Sequence, residues 1–132
     1  MAEIPDAARQ VLDKKAIAHV ATLMEDGSPQ VTPVWVNVDD GEVLINTAVG
    51  RLKDKNLRRD PRIALSVTDP DDAYSPVLIR GRVTEITEEG ADEHADLLAK
   101  KYLDVDEYPF RQEGEVRLLV RIEPDQVSVG QG

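Results

Sequence analysis

The chain of 132 residues contains no cysteine, which removes disulfide frameworks, thiolate nucleophiles and every cysteine-ligated zinc or iron–sulfur site. It has only two histidines, His19 and His94, too far apart in sequence for a helical two-histidine zinc motif. Basic residues are also in the minority: 16 lysines and arginines face 26 acids, for a formal charge of -10. That balance argues against general nucleic-acid binding and against docking on anionic lipid, both of which need a basic face. Apolar runs fall well short of the ~20 residues a membrane helix requires. The first residues lack the basic-then-apolar layout of a signal segment, so a soluble, cytoplasmic protein is expected. Aromatics make up only 4% of the chain.

What is present describes a single globular domain over 1–132, with 41% hydrophobic and 32% charged residues. The acids are spread rather than gathered in a tail. They suit an ordinary solvated surface and adaptation to high salt equally.

Periodicity predicts a short helix over 6–14 with Asp6 as N-cap, then alternating strands. The first strand starts near Ala16 and the second runs from Gln30 to Val38. Asp39-Asp40-Gly41 is a tight hairpin signal, and a third strand covers Glu42 to Thr47. Residues 50–60 break the strand pattern and stop at Asp60-Pro61, where helices commonly end. A fourth strand is predicted over Arg62 to Thr68, a loop over 69–76, and a fifth strand over Val77 to Ile86. Gly81 interrupts the fifth strand, marking a bulge, a bend or a close approach to the backbone. Thr87 is expected to cap a helix reaching Tyr102, and a sixth strand spans Val116 to Ile122. Six antiparallel strands favour a closed or partly closed barrel, because closure removes exposed edges.

One segment stands out chemically. Residues 51–62 hold six bases and two acids, an island of +4 in a chain whose other 120 residues sum to -14. Just after a strand and a glycine, it falls at a helix N-terminus, where backbone N–H groups favour anions. Arg51, Lys53 and Lys55 are placed to ring a phosphate, with Asn56 as a hydrogen-bond partner; the bland alternative is a surface helix balancing nearby acids. His19 reads as a hydrogen-bonded interior histidine and His94 as a solvated one. Ser28, Ser66, Ser75 and Ser128 lack any nucleophile-elbow context. Asp71-Asp72 reads as turn chemistry. Trp35 remains open between core residue, interface anchor and wall of a flat ligand's pocket.

Ala18-His-Val-Ala-Thr-Leu23, the glycine turn at Gly27, Pro29-Gln-Val-Thr-Pro-Val-Trp35, Leu44-Ile-Asn-Thr47 and Lys53-Asp-Lys-Asn-Leu-Arg-Arg-Asp-Pro-Arg62 together resemble the pyridoxamine 5′-phosphate oxidase-like split β-barrels. More narrowly, they resemble the branch of flavin/deazaflavin oxidoreductases that includes users of coenzyme F420. Ile79 to Ile86, Tyr108 to Gln112 and Arg121 to Pro124 fit the same branch. The resemblance implies a mainly β protein with peripheral helices, a six-stranded antiparallel split β-barrel that forms a homodimer with cofactor sites between subunits. It implies that bases after the third strand, matching Arg51, Lys53 and Lys55 with Asn56, hold the cofactor's phosphate. The ring is implied to lie along Thr32, Pro33, Val34, Trp35, Asn46 and Thr47, with Arg80 and Gly81 as further neighbours. The expected activity is hydride transfer from reduced F420 to a small planar organic acceptor. FMN in the same fold, or a non-catalytic cofactor-binding protein, are the alternatives. A C-terminal substrate-binding extension of the true oxidases is lacking, which argues against vitamin synthesis.

Overall fold

The computed structural model describes residues 2–130. Helix α1 (Asp6–Leu12) is followed by strands β1 (Ala18–Leu23), β2 (Pro29–Val34), β3 (Asn37–Asp39) and β4 (Glu42–Ala48). Helix α2 (Leu52–Arg59), strands β5 (Arg62–Asp69) and β6 (Asp72–Thr87), helix α3 (Ala91–Leu103) and strand β7 (Arg117–Val129) complete the order. All strands join one antiparallel sheet in the order β2-β1-β5-β6-β7-β4-β3.

The sheet has seven strands, not six, because the stretch Gln30 to Val38 does not run as one. It breaks at Trp35 and Val36 into β2 and β3, which form the two opposite edges of the sheet. Val34 and Asn37 are three Cα steps apart, so those edges approach within ~11 Å. The sheet must therefore curl, and the result is a barrel with one open seam. Tyr102 fastens that seam: its hydroxyl donates to the Ala16 carbonyl at 2.6 Å and accepts from the Val36 N–H at 3.1 Å. The Lys101 ammonium, lowered to about 8 by burial, donates to the Val36 carbonyl at 2.6 Å.

Alternation sorts the strands into an interior and an exterior. Ala18, Val20 and Thr22 of β1 are buried, and join Ile45, Leu65, Val67, Ile79, Val120 and Ile122 in or beside the core. Ala8, Val11 and Leu12 of α1 enter the same core, as does Leu57 of α2. Helix α3 instead packs on β4 and β7 from outside, with Ala91 against Leu44 and Leu119.

Several boundaries differ from expectation for local reasons. Pro5, not Asp6, is the N-cap of α1, and Asp6 sits in the first turn. Asp40 and Gly41 take positive φ values of 52° and 76°, the hairpin geometry expected. The loop predicted over 69–76 shrinks to the turn at Pro70 and Asp71, since Asp69 pairs with Asp72. Thr87 does not cap α3; its hydroxyl accepts from Glu89 N–H, and Gly90 at φ 76° is the N-cap. Strand β7 runs to Val129 through Pro124, past the predicted end at Ile122. The proline is tolerated because it faces Gly81 where the β6–β7 register shifts. A Cβ on Gly81 would lie 2.3 Å from the Glu123 carbonyl oxygen, so the glycine marks a close backbone approach.

Candidate functional site

A cleft of about 360 Å³ opens beside the seam, between the end of β2, the end of β4, α3 and the segment that leads into β7. Its size lies at the lower end of the range for small-molecule sites. Of the residues proposed from sequence, Pro33, Val34, Trp35, Asn46, Thr47, Arg51 and Lys53 line it. Thr32 stands directly behind, accepting a 2.7 Å hydrogen bond from Lys53 Nζ. Burial and the neighbouring Arg51 charge lower the Lys53 ammonium from its ordinary value.

Four proposed residues lie elsewhere. Lys55 is exposed on α2 and Asn56 is fully buried, donating from Nδ2 to Thr22 Oγ1 at 3.0 Å. Helical geometry turns Lys55, two residues on, about 200° from Lys53, whereas Asn56, on the same face as Lys53, is withdrawn because its amide is committed to Thr22 in the interior. Arg80 and Gly81 border a different cleft, on the outer face of β1, β5 and β6 with Ala21 and Ala64. The helix terminus is also changed from expectation. Asp54, 4% exposed, accepts from Gly50 N–H at 3.0 Å and from Arg58 Nε at 2.6 Å. The chain's own carboxylate thus lies in the first turn and complements the positive end of α2.

The lining contains residues that periodicity did not reveal: Ile17, Ala95, Leu98, Tyr108, Phe110 and Arg117. Four of the chain's five aromatics gather here. Trp35 stacks on Tyr102 with centroids 5.2 Å apart and planes 10° apart. Tyr108 meets Trp35 edge-on at 6.1 Å, and Phe110 lies tilted at 6.4 Å. Trp35 is therefore a wall of the cleft. Tyr108 and Phe110 come from the segment 104–116, which forms neither helix nor strand. That segment is fixed on Asp96, which accepts from Tyr108 N–H at 2.8 Å and from Arg111 Nη2 at 2.9 Å. Composition offered one signal for them, the scarcity of aromatics, but no periodicity tied the two ends of the chain together.

A polar chain supports the cleft. Arg117 Nη1 donates to Glu115 Oε1 at 2.9 Å, while Arg51 Nη2 reaches the other oxygen of that carboxylate at 3.3 Å. The Arg117 guanidinium also lies 4.9 Å from the Tyr108 ring centroid. Its Nε donates to Asn46 Oδ1 at 2.8 Å. Asn46 Nδ2 in turn donates to the Ala91 carbonyl at 2.9 Å and meets His94 Nδ1 at 3.1 Å. On its far side His94 Nε2 lies 2.6 Å from Asn37 Oδ1.

The two histidines exchange their expected roles. His19 is exposed on the outer face of β1, whereas His94 is 5% exposed and fully engaged. Burial first, and then the charges of Arg121 and Arg117, push the His94 imidazole down to about 4, against the pull of Asp39. It is neutral at physiological pH. A helix wheel carries the signal, since His94 shares the apolar face of α3 with Ala91, Ala95 and Leu98, but the acids beside it in sequence, Asp92, Glu93 and Asp96, mask it.

Among the described residues no group of three or more histidines, aspartates or glutamates is arranged to hold a metal, and no helix is long and apolar enough to cross a membrane. The cleft instead combines three cations, Arg51, Lys53 and Arg117, with an aromatic wall. Those are the features a ligand with a flat ring and an anionic group requires.

Comparison with known proteins agrees with the architecture. A solved structure described as an F420 reductase superposes with a TM-score of 0.83 at 28% identity, covering 95% of this chain and 98% of that one. A conserved hypothetical protein from Mycobacterium tuberculosis gives 0.76 at 26% identity, covering 99% and 88%. An FAD-binding protein from Mesorhizobium loti gives 0.68 at 22% identity over 91% and 88%, a likeness of fold alone. The family model for pyridoxamine 5′-phosphate oxidase matches residues 4–129, nearly the whole chain. The seamed antiparallel barrel and the extent of that match place this chain in the pyridoxamine 5′-phosphate oxidase family, with its split-barrel fold.

Proposed function

We propose that the cleft binds a flavin-type cofactor, coenzyme F420 in first place, and that the protein uses it to reduce a small planar organic acceptor. The observation that carries this reading is the meeting of three cations and an aromatic wall in one cleft. The 28% identity with an F420 reductase over nearly both full chains favours the deazaflavin over FMN.

When bound, such a cofactor supplies the hydride chemistry itself. The protein's tasks are then binding and orientation, and among the described residues the cleft lining holds no carboxylate, histidine or serine. Lys53 and Arg51 neutralise the phosphate. The Trp35 indole, held in place by Tyr102, presents an apolar face to the ring, and Tyr108 and Phe110 keep water from it. Asn46 and Thr47 offer short polar contacts where the ring's edge would lie.

The same reading makes the protein a homodimer. Helix α3 packs on β4 and β7, whereas Ala21, Ala64 and Arg80 of β1, β5 and β6 border an open outer cleft. A second copy across a two-fold axis is the simplest cover for that face.

Fluorescence titration with F420 and with FMN in parallel tests binding. Reduced F420 with a panel of quinones, enones and nitro compounds then tests turnover. Micromolar binding of F420 with acceptor-dependent oxidation is expected. Preference for FMN would change the cofactor, binding without turnover would mean a carrier, and no binding of either would overturn the reading.

A further inference from the structure

The polar chain ending at Arg117 has an order that only one arrangement of hydrogens satisfies. The Ala91 carbonyl can only accept, so Asn46 must turn its NH₂ toward Ala91. The same NH₂ faces His94 Nδ1, which must therefore be unprotonated, leaving the ring's proton on Nε2 to donate to Asn37 Oδ1. With its NH₂ committed, Asn46 presents Oδ1 to Arg117 Nε. Glu115 takes Nη1. Arg117 is only 7% exposed, yet among the described residues its Nη2 has no hydrogen-bond partner. Among the described residues no buried side-chain polar atom is left unpaired, so Nη2 meets the open cleft that Arg117 lines.

We infer that Arg117 is a ligand-binding residue whose Nη2 takes an oxygen of the cofactor's phosphate, and that His94 is a positioning residue that aims it through Asn46. The inference rests on the proposed cofactor reading and extends it. A phosphate is the fitting group because Arg51 shares the Glu115 carboxylate with Arg117, so both guanidiniums converge on one spot. A fork held at Nε and Nη1 loses no further rotamer freedom when Nη2 binds, which is where preorganisation adds affinity. Without the bare Nδ1 of His94, the Ala91 carbonyl alone holds the Asn46 amide in its present orientation, and the guanidinium is aimed less firmly.

The test compares affinities for FMN and riboflavin, and for F420 and its phosphate-free deazaflavin fragment. The ratio within each pair isolates the phosphate. Arg117→Gln is expected to shrink the ratio about tenfold or more, since it removes a charge-assisted contact. His94→Leu, which fills the space without an acceptor, is expected to shrink it several-fold. His94→Gln, whose amide accepts from Asn46 and donates to Asn37, is expected to restore it. In the Arg117→Gln background His94→Leu is expected to leave the ratio unchanged while still lowering Tm, which separates aiming from folding. Should Arg117→Gln fail to fold because Glu115 loses its nearest cation, Glu115→Gln/Arg117→Gln is compared with Glu115→Gln alone. A ratio untouched by loss of Arg117 would overturn the ligand contact and leave the cofactor reading standing. An equal effect of His94→Leu with and without Arg117 would overturn the relay. No binding of any of the four probes to the wild type would overturn both readings.

Discussion

Burying His94 as a neutral imidazole has a consequence for stability that can be worked from the structure. In the folded protein its pKa is pushed down to about 4, while an unfolded chain holds histidine near 6.5. At pH 8 neither state carries the proton, so His94 contributes no pH dependence. Between about 6.5 and 4 the unfolded state binds a proton that the native state refuses, so stability falls as pH falls. Below about 4 both states are protonated and the effect levels off. The difference of about 2.5 pH units corresponds to about 3 kcal/mol across the window. His94→Gln retains an acceptor for Asn46 and a donor for Asn37 but does not titrate. Urea unfolding at pH 8 is expected to find the two proteins within about 1 kcal/mol. At pH 4.5 the variant is expected to gain about 2–3 kcal/mol relative to the wild type. Carboxylates held low in the native state also destabilise it in acid, as Asp60 does at about 2 through its hydrogen bonds with Arg62. That contribution begins as pH falls through the ordinary aspartate range and is common to both proteins, so it cancels in the comparison. Parallel stability curves for wild type and variant from pH 8 to 4.5 would refute the buried neutral histidine.

Three further predictions concern the fold, the cleft and the outer face. Gly81→Ala forces a Cβ to within 2.3 Å of the Glu123 carbonyl oxygen and is expected to cost about 1–3 kcal/mol in denaturant unfolding; an unchanged midpoint would mean the bulge is not rigid. Lys53→Met is expected to weaken F420 or FMN binding about tenfold, whereas Lys55→Met, on the exposed side of α2, is expected to leave it within about twofold; equal losses would return the site to the helix as a whole. Ala64→Arg places a long cation on the bare outer face and is expected to convert a dimer to a monomer in light scattering. A wild type already monomeric in both low and molar salt would overturn the dimer, the two salts being needed because an acidic surface repels itself when unscreened.

The strands were legible where alternation is strict and turns are marked by glycine, as at Asp40-Gly41 between β3 and β4. They depart from the local signal where a tertiary partner overrides it. Pro124 looks like a strand end, yet β7 continues because Gly81 across the ladder makes room for the bulge. Trp35 and Val36 look like the middle of one strand. They part into two edges because Tyr102 and Lys101, more than sixty residues later, hold the Val36 peptide from outside the sheet.

The cleft follows the same division. The lining residues legible in the sequence come from short, locally recognisable runs, Pro33 to Trp35, Asn46-Thr47, and Arg51 with Lys53. Lys55 and Asn56 belong to the same run in sequence, but α2 turns Lys55 to its exposed side and Thr22 claims the Asn56 amide inside, so a basic cluster counted along the chain overstates the cluster formed in space. The histidines show the converse. His19 alternates with core residues and faces outward, while His94, flanked by acids, is drawn inward because Asn37 and Asn46 supply the two hydrogen bonds an imidazole needs before it can be buried. Those partners come from strands on either side of a hairpin, β3 and β4, and neither says anything about histidine on its own. What a sequence cannot display is the pairing of polar groups from distant segments. In this protein that pairing decides which nitrogen of Arg117 is left toward the open cleft, because a buried guanidinium keeps only the directions its partners leave free.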